Sequence, residues 1–339
     1  MTTLSQVMPL HLANTVAGDL RLCCPQCGTQ VCTIRDDFEA APLRTSCPRC
    51  ALPITLRDGI WHAMHPDEST RLAGTLSAYE SVRKIEGRWS ADSAFYLALP
   101  WRDTTGRFTS QWHIRGLSFS FLQAKIVPVL QRRVGKTSLR ILDLGAGNCW
   151  MSYRLALAGH RPVAVDLCIN AQDGLGAALH YKNALGRLFP RFEAGMNRLP
   201  FADAQFDLAI YNASFHYSQD YAATLREALR VLGRGGSILI VDSPTYPKES
   251  DGEAMLQEKS AEFTRKFGTD RGNMGGQEYL TPQRLAKLQA LEIRWQRLSP
   301  WYGIRWALRP VIARLRGRRR PSDFVIYLGT RVPDEEGPL

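Results

Sequence analysis

The chain has 339 residues, and its apolar fraction of 45% is ordinary for a globular protein of one large domain or two to three small ones. Its formal net charge of +11 and pI near 9.4 favour an anionic partner, whether RNA, a lipid surface or an acidic small molecule, although many soluble proteins are simply basic. No run approaches the roughly 18 consecutive apolar residues of a transmembrane helix, and Met1–Leu20 lacks the basic start and apolar core of a signal peptide, so a cytoplasmic, reducing location is expected.

Residues 1–20 are weakly patterned and read as a flexible N-terminus. Six of the eight cysteines fall between positions 23 and 50. Cys24-Pro25-Gln26-Cys27 and Cys47-Pro48-Arg49-Cys50 form two C-x-x-C knuckles, with 19 residues between Cys27 and Cys47. Each knuckle puts two sulfurs on one tight turn, and two turns complete a tetrahedron. The spacing predicts a structural zinc ribbon over 21–62 with Cys24, Cys27, Cys47 and Cys50 as ligands. Four thiolates leave the metal no open position for catalysis. Cys23 is one residue out of register, and Cys32 reads as apolar filler on a strand.

Residues 63–136 read as a helical cap and aromatic connector. Helices are predicted over 68–88 and 117–132, with Trp89, Phe95, Tyr96, Trp101, Phe108 and Trp112 between them. Such aromatics either cement the ribbon to the next domain or build part of a pocket. Tyr79, Arg83 and Arg115 are the polar side chains here that suit a site, since an arginine can hold an anionic group bidentately.

From 137 to 339 strands and helices alternate, with strands predicted near 139–143, 162–166, 191–194, 206–212 and 237–242. The first strand ends in Asp143 and opens into the turn Gly145-Ala146-Gly147 ahead of a helical pattern. Strand, glycine turn and helix N-terminus make a nucleotide-type site. Asp166 ends the next strand, 19 positions after Gly147, where a carboxylate can accept both hydroxyls of a ribose. Trp150 stands where a third glycine would complete the dinucleotide fingerprint, which argues against NAD. Asp220 is a good N-cap for a helix bearing Leu225, Ala228, Leu229 and Leu232. Insertions are expected at 244–280 and at 301–320. In the second, Ile304, Leu308, Val311, Ile312 and Leu315 recur at helical spacing amid seven arginines, and Pro310 kinks the helix or starts another. Such a helix can bury its apolar face in the core, lie on an anionic membrane, or grip RNA phosphates.

The chain resembles the class I S-adenosylmethionine-dependent methyltransferases, with a core like methyltransferase type 11. The resemblance runs through Asp143-Leu144-Gly145-Ala146-Gly147, Asp166, Leu199-Pro200-Phe201, Phe206-Asp207-Leu208 and Leu229–Gly236, and covers about residues 137–243. It implies an α/β, Rossmann-like fold with a mainly parallel seven-stranded sheet behind the small zinc ribbon. It also implies S-adenosyl-L-methionine as cofactor. On that resemblance Asp143 lies near the methionine amino group, Gly145 and Gly147 leave room for the methionyl and ribose parts, Asp166 binds the ribose, and Asn212 joins the cofactor contacts at the end of the fourth strand. Family members often carry an aspartate for the adenine amino group four residues before Leu199, where this chain has Gly195. The backbone at Met196 or the side chain of Asn197 is the alternative reader. The knuckles also resemble the zinc ribbons that precede some methyltransferase domains, among them enzymes acting on guanine in ribosomal RNA, whose ligand set usually ends in histidine rather than Cys50.

His216 and Tyr217 follow the fourth strand, the position that faces the methyl group in this fold. His216 is the base candidate and Tyr217 an orienting group; alternatively His216 is a packed, hydrogen-bonded residue lining the cleft. The segment after Asn212 has no Asn-Pro-Pro-aromatic motif, and no Pro-Cys nucleophile is present. Those features point to a small, amphipathic metabolite as acceptor, methylated on carbon, oxygen or nitrogen, as in the quinone C-methyltransferases this core resembles. An RNA methyltransferase gripping RNA through the ribbon and the arginine-rich helix is the first alternative. A non-catalytic cofactor-binding scaffold is the second.

Overall fold

The structure, a computed structural model, describes residues 19–34, 44–268, 276–288 and 291–332. The expected flexible N-terminus therefore lies outside the described residues up to position 18, as does 269–275 of the first insertion. Each C-x-x-C knuckle sits at a hairpin. Strands β1 (Leu20–Cys23) and β2 (Gln30–Ile34) pair antiparallel around the first. Strands β3 (Arg44–Ser46) and β4 (Pro53–Arg57) pair around the second, and β5 (Ile60–His62) folds back on β4.

Helix α1 (Pro66–Glu86) follows. Its start is set by Pro66 in the first turn and by His65 Nδ1, which accepts from the Asp67 N–H; its end is set by Gly87 in the left-handed conformation. Helices α2 (Ser93–Ala98), α3 (Thr109–Phe121) and α4 (Val127–Val134) come next, the last two joined by a π-helical turn at Leu122–Ile126. The helix expected over 117–132 is thus the second half of a longer helical run.

The alternating part has β6 (Arg140–Leu144), α5 (Trp150–Leu157), β7 (Arg161–Asp166), α6 (Lys182–Leu185), β8 (Arg191–Glu193) and β9 (Phe206–Asn212). Then come α7 (Tyr221–Val231), β10 (Leu232–Val241), α8 (Glu249–Phe267), α9 (Pro282–Ala286) and β11 (Ile293–Leu298). The chain closes with α10 (Ile304–Ala307), α11 (Arg309–Leu315) and β12 (Ile326–Arg331). Asp220 caps α7 by accepting from the Ala223 N–H at 3.0 Å, as its position predicts. Pro310 stands in the first turn of α11 and separates it from α10.

Strands β6, β7, β8, β9 and β10 are mutually parallel, while β12 runs antiparallel to β10 and to β11. Their near-continuous apolar sequences reflect burial on both faces of the sheet. The order is β11-β12-β10-β9-β6-β7-β8-β5-β4-β3, so the sheet has ten strands rather than the seven of the resemblance. The additional three are β3, β4 and β5 of the N-terminal segment that carries the knuckles. Strand β5 pairs parallel with β8 through Trp61↔Phe192 and His62↔Glu193. Trp61 is 1% exposed and stacks on Phe192 with ring centroids 6.2 Å apart. The first knuckle is tied in as well, because the Cys23 N–H donates to Pro200 O at 3.1 Å and the Ala202 N–H to Arg21 O at 3.0 Å. The N-terminal hairpins thus continue the main core, in which Leu20, Leu22, Ile54 and Trp61 pack with Val165, Phe192 and Phe201.

Candidate functional site

The site begins where β6 gives way to the glycine turn. Gly145 and Gly147 both have positive φ, +73° and +51°. A Cβ on Gly145 would stand 2.3 Å from Ser214 Cβ, so this position admits only glycine. The N–H groups of Gly145 and Ala146 donate to the Val165 carbonyl at 2.8 and 3.0 Å. From the tip of β7, Asp166 accepts from the Gly147 N–H through Oδ2 and from the Cys168 N–H through Oδ1, both at 2.8 Å. A carboxylate offers about four acceptor positions, so two remain for a ligand.

Asp143 is buried at the end of β6, 1% exposed. Its Oδ2 accepts from Ser152 Oγ at 2.7 Å, and its Oδ1 has no partner. Burial pushes its carboxyl up to about 6, against the pull of the Ser152 hydrogen bond.

Helix α1 covers the carboxyl ends of these strands. Leu72, Thr75, Leu76 and Tyr79 face a cleft whose floor and walls are Gly145, Gly147, Val165, Asp166, Ala194, Met196, Ser214, Tyr217 and Gln219. Tyr79 meets Tyr217 edge to face with centroids 5.6 Å apart. Arg83 holds the helix down through a bidentate pair with Asp173, Nη2 to Oδ1 at 2.8 Å, and lies 5.7 Å over the Tyr79 ring. Arg115 stacks over Trp112 instead, 4.7 Å from the ring centroid.

Of the residues expected from sequence to make the site, Gly145, Gly147, Asp166, Met196 and Tyr217 line this one cleft. Asp143, Asn197, Asn212 and His216 are outside its lining. Asn197 Oδ1 accepts from Thr224 Oγ1, which also bonds Ser218 Oγ at 2.7 Å. Asn212 Oδ1 is buried without a partner. His216 is 7% exposed, with Nδ1 3.2 Å from Ser243 Oγ, and its carbonyl accepts from the Glu278 N–H at 2.7 Å. The sequence reading placed a capping helix here and singled out Tyr79, but it did not name Leu72, Thr75 or Leu76 as cleft residues, although Leu72, Leu76 and Tyr79 stand at helical spacing. It also missed Ser214 and Gln219, whose sequence context carries no signal. A broader groove lined by Arg133, Gly235, Arg294 and Arg331 opens at the amino ends of the parallel strands. Ligands of such sheets bind at the carboxyl ends, where the glycine turn is.

The four knuckle sulfurs gather apart from the cleft, all within 4.8 Å of one another. Cys24 Sγ is 3.5 Å from Cys50 Sγ, and Cys27 Sγ is 3.4 Å from Cys47 Sγ. A tetrahedron with Zn–S bonds of about 2.3 Å separates sulfurs by about 3.8 Å, so the donor set fits. The two knuckles repeat one geometry: the Gly28 N–H donates to Cys24 O and the Ala51 N–H to Cys47 O, each at 2.9 Å. Cys23 is buried at the end of β1, and Cys32 is half-buried on β2 opposite Leu22; neither belongs to the cluster.

Residues 142–240 match the family model described as a methyltransferase domain. A malonyl-[acyl-carrier protein] O-methyltransferase of Erwinia pyrifoliae is 34% identical over 119 residues, which are 32% of this chain and 43% of that protein. A demethylmenaquinone methyltransferase of Mycobacterium marinum is 32% identical over 120 residues, 34% of this chain and 48% of that protein. The namesake from Thermus thermophilus is 30% identical over 147 residues, 43% of this chain and 66% of its own length. The chain thus spans about half the length of the first two of these curated relatives. Among solved structures, 1,6-didemethyltoxoflavin-N1-methyltransferase of Burkholderia thailandensis is 16% identical, with a TM-score of 0.44 over 86% of this chain and 97% of that one. The family match and the strand order together give a Rossmann-like class I methyltransferase fold.

The unpartnered oxygen of Asp143 has a measurable consequence. Its carboxyl titrates higher in the folded protein than the usual value of about 3.9, so it contributes stability below about pH 4 that is lost as pH rises through about 6. Asp143→Asn should make the ligand-free protein more stable at neutral pH by about 1–3 kcal/mol, and the gain should disappear near pH 4. Urea melts of both proteins at the two pH values test this. The same difference at both would show that Asp143 is not the titrating group.

Proposed function

We propose that this chain is an S-adenosylmethionine-dependent methyltransferase whose acceptor is a small, amphipathic metabolite. The observation that carries the cofactor is the convergence of Gly145, Gly147 and Asp166 on one cleft within the segment that matches the methyltransferase domain. The relatives named above support the acceptor class: they are named for a malonyl group on a carrier protein and for demethylmenaquinone, and neither name is that of an RNA.

When bound, S-adenosylmethionine supplies a methyl group on a sulfonium, which moves to the acceptor by in-line displacement. The protein's part is alignment and exclusion of water. Asp166 offers its remaining lone pairs to ribose hydroxyls while the Gly147 and Cys168 N–H groups fix its orientation. Asp143 Oδ1 suits a cationic amino group, since it is buried without a donor. Tyr79 of α1 and Tyr217 meet edge to face across the cleft lining and narrow the space around the ligand. His216, with Nδ1 3.2 Å from Ser243 Oγ, is the base candidate for an acceptor that must lose a proton. Cys24, Cys27, Cys47 and Cys50 hold a structural zinc ion that pins the two hairpins together.

Isothermal calorimetry with S-adenosylhomocysteine tests the cofactor. Wild-type protein should bind it, and Asp166→Ala should weaken binding about tenfold or more. His216→Ala should leave that affinity unchanged and lower single-turnover rates by about 10²–10⁴ on the acceptor found by comparing metabolites of cells with and without the protein. A wild-type chemical step in the mutant would remove His216 from the mechanism.

Elemental analysis of protein purified under reducing conditions should find one zinc ion per chain. Cys47→Ser should lose it and lower the melting temperature of the whole protein, because the hairpins it joins belong to the main sheet. Metal-free wild-type protein with an unchanged melting temperature would reject the zinc.

A further inference from the structure

The segment between β11 and β12 turns its apolar side chains outward. Strand β12 runs antiparallel to β10, with Ile240 opposite Tyr327, so this segment lies at the carboxyl edge of the parallel strands, the edge that carries the cleft. It is firmly attached there. Tyr302 OH donates to Phe324 O at 2.8 Å and lies 2.9 Å from Ser118 Oγ, which itself donates to Asp242 at the end of β10. Arg319 pairs with Glu258 of α8 at 2.7 Å. Yet no residue of α10 or α11 is buried. Trp301, Ile304, Leu308, Val311, Ile312 and Leu315 are 68, 70, 47, 55, 41 and 82% exposed. Residues 301–320 hold seven arginines and no acidic residue, and Arg305, Arg314, Arg316 and Arg318 are exposed among the apolar side chains.

The core reading of this helix therefore fails, and the remaining partners differ in chemistry. RNA offers phosphates to the arginines and a base to stack on Trp301, but nothing to the five exposed aliphatic side chains. A protein partner would need a matching acidic rim. An anionic lipid surface supplies negative headgroups and an acyl boundary together. We propose that the segment from Trp301 to Arg320 docks the protein on an anionic membrane surface, on the same carboxyl edge of the sheet as the cleft that a lipid-soluble acceptor would enter. The docking rests on this segment alone; only its link to the acceptor rests on the proposed function.

Co-sedimentation with vesicles tests it. Full-length protein should bind phosphatidylcholine vesicles containing phosphatidylglycerol, release with salt, and bind pure phosphatidylcholine at least about tenfold more weakly. Leu315→Glu combined with Ile304→Glu should lose at least about tenfold in binding with no change in melting temperature, since both side chains are exposed. Equal binding to both vesicle types, or full binding by the double variant, would overturn the proposal. So would a wild-type dimer in sedimentation velocity that the double variant converts to monomer, because a second copy would then cover the face. Calorimetry with S-adenosylhomocysteine reads the cofactor site separately.

Behind the cleft wall, next to lining residues but not itself in the lining, Gly195 leaves the space that Glu68 fills. A Cβ on Gly195 would stand 2.5 Å from the Glu68 Cδ and from both carboxylate oxygens. Gly195 lies between cleft-lining Ala194 and Met196, and Leu72, one turn along α1 from Glu68, lines the same cleft. Glu68 is 6% exposed, its Oε2 has no hydrogen-bond partner, and its Oε1 is 3.7 Å from Arg71 Nη2. A buried carboxylate oxygen without a donor is costly, and at a cleft wall it marks where a ligand's donor arrives. The order of strands says which donor. The glycine turn follows β6, Asp166 ends neighbouring β7, and Gly195 follows β8, the next strand over. A ligand with its ribose on Asp166 therefore places its base against Gly195. The acceptor oxygen of Asn197 is already engaged by Thr224.

Resting on the cofactor reading above, we infer that Glu68 accepts from the exocyclic amino group of adenine, reaching from α1 into the space that the missing side chain of Gly195 leaves. Calorimetry should compare S-adenosylhomocysteine with S-inosylhomocysteine, which carries an oxygen in place of that amino group. The wild type should prefer the adenine compound by about tenfold or more, and Glu68→Ala or Glu68→Gln should reduce the preference. Gly195 is outside the left-handed region and only Glu68 atoms are nearest its Cβ position, so Gly195→Asp added to Glu68→Ala should restore the preference. Unchanged preference in both Glu68 variants would overturn the assignment while leaving the cofactor standing. Failure of the wild type to bind either compound would overturn both.

Discussion

The double hydrogen bond from the Gly145 and Ala146 N–H groups to the Val165 carbonyl is the contact on which the site depends. It turns the chain sharply at the end of β6 and draws the turn onto the tip of β7. Asp166 completes the join by accepting from Gly147. The turn can come so close only because Gly145 carries no side chain against Ser214. Strand tip, turn and helix start are therefore one rigid unit, and a ligand meets a surface already formed.

Around that unit the molecule leaves several acceptors unsatisfied. Asp143 Oδ1, Asn212 Oδ1 and Asp242 Oδ2 are buried without partners at the carboxyl ends of β6, β9 and β10, and Glu68 Oε2 stands above Gly195 beyond β8. Such oxygens cost stability in an empty protein. Their concentration along one edge marks it as a place built for donors that the chain does not itself provide. Burial pushes the carboxyls of both Asp143 and Asp242 up to about 6, which expresses the same cost in proton affinity.

The N-terminal hairpins serve this edge indirectly. By pairing with β8, strand β5 extends the sheet on the side where Gly195 and Glu68 meet. The chain then passes from β5 into α1 within four residues, Ala63–His65 leading to Pro66. The position of α1 over the cleft therefore follows from the pairing of β5, and the knuckle cluster that joins the hairpins helps to set it. Among the described residues no helix is long and apolar enough to cross a membrane.

Much of this was legible in the linear sequence because it is local. Glycines at a strand end, a carboxylate at the next strand end, an N-cap at Asp220 and two C-x-x-C turns each encode their own geometry within a few residues, so the parallel strands and the sulfur cluster were readable. What the sequence could not carry was every relation between distant segments. The pairing of three-residue β5 with β8 depends on Trp61 finding Phe192, 131 positions away in register terms shared by His62 and Glu193. The outward face of α11 has the same helical spacing as a buried one, and only the tertiary structure shows that these side chains are exposed among the described residues. Gly195 looked like a missing ligand because sequence shows an absent side chain and not its replacement. Glu68, from a helix more than a hundred residues earlier in the chain, reaches the same space only once the sheet and α1 are assembled.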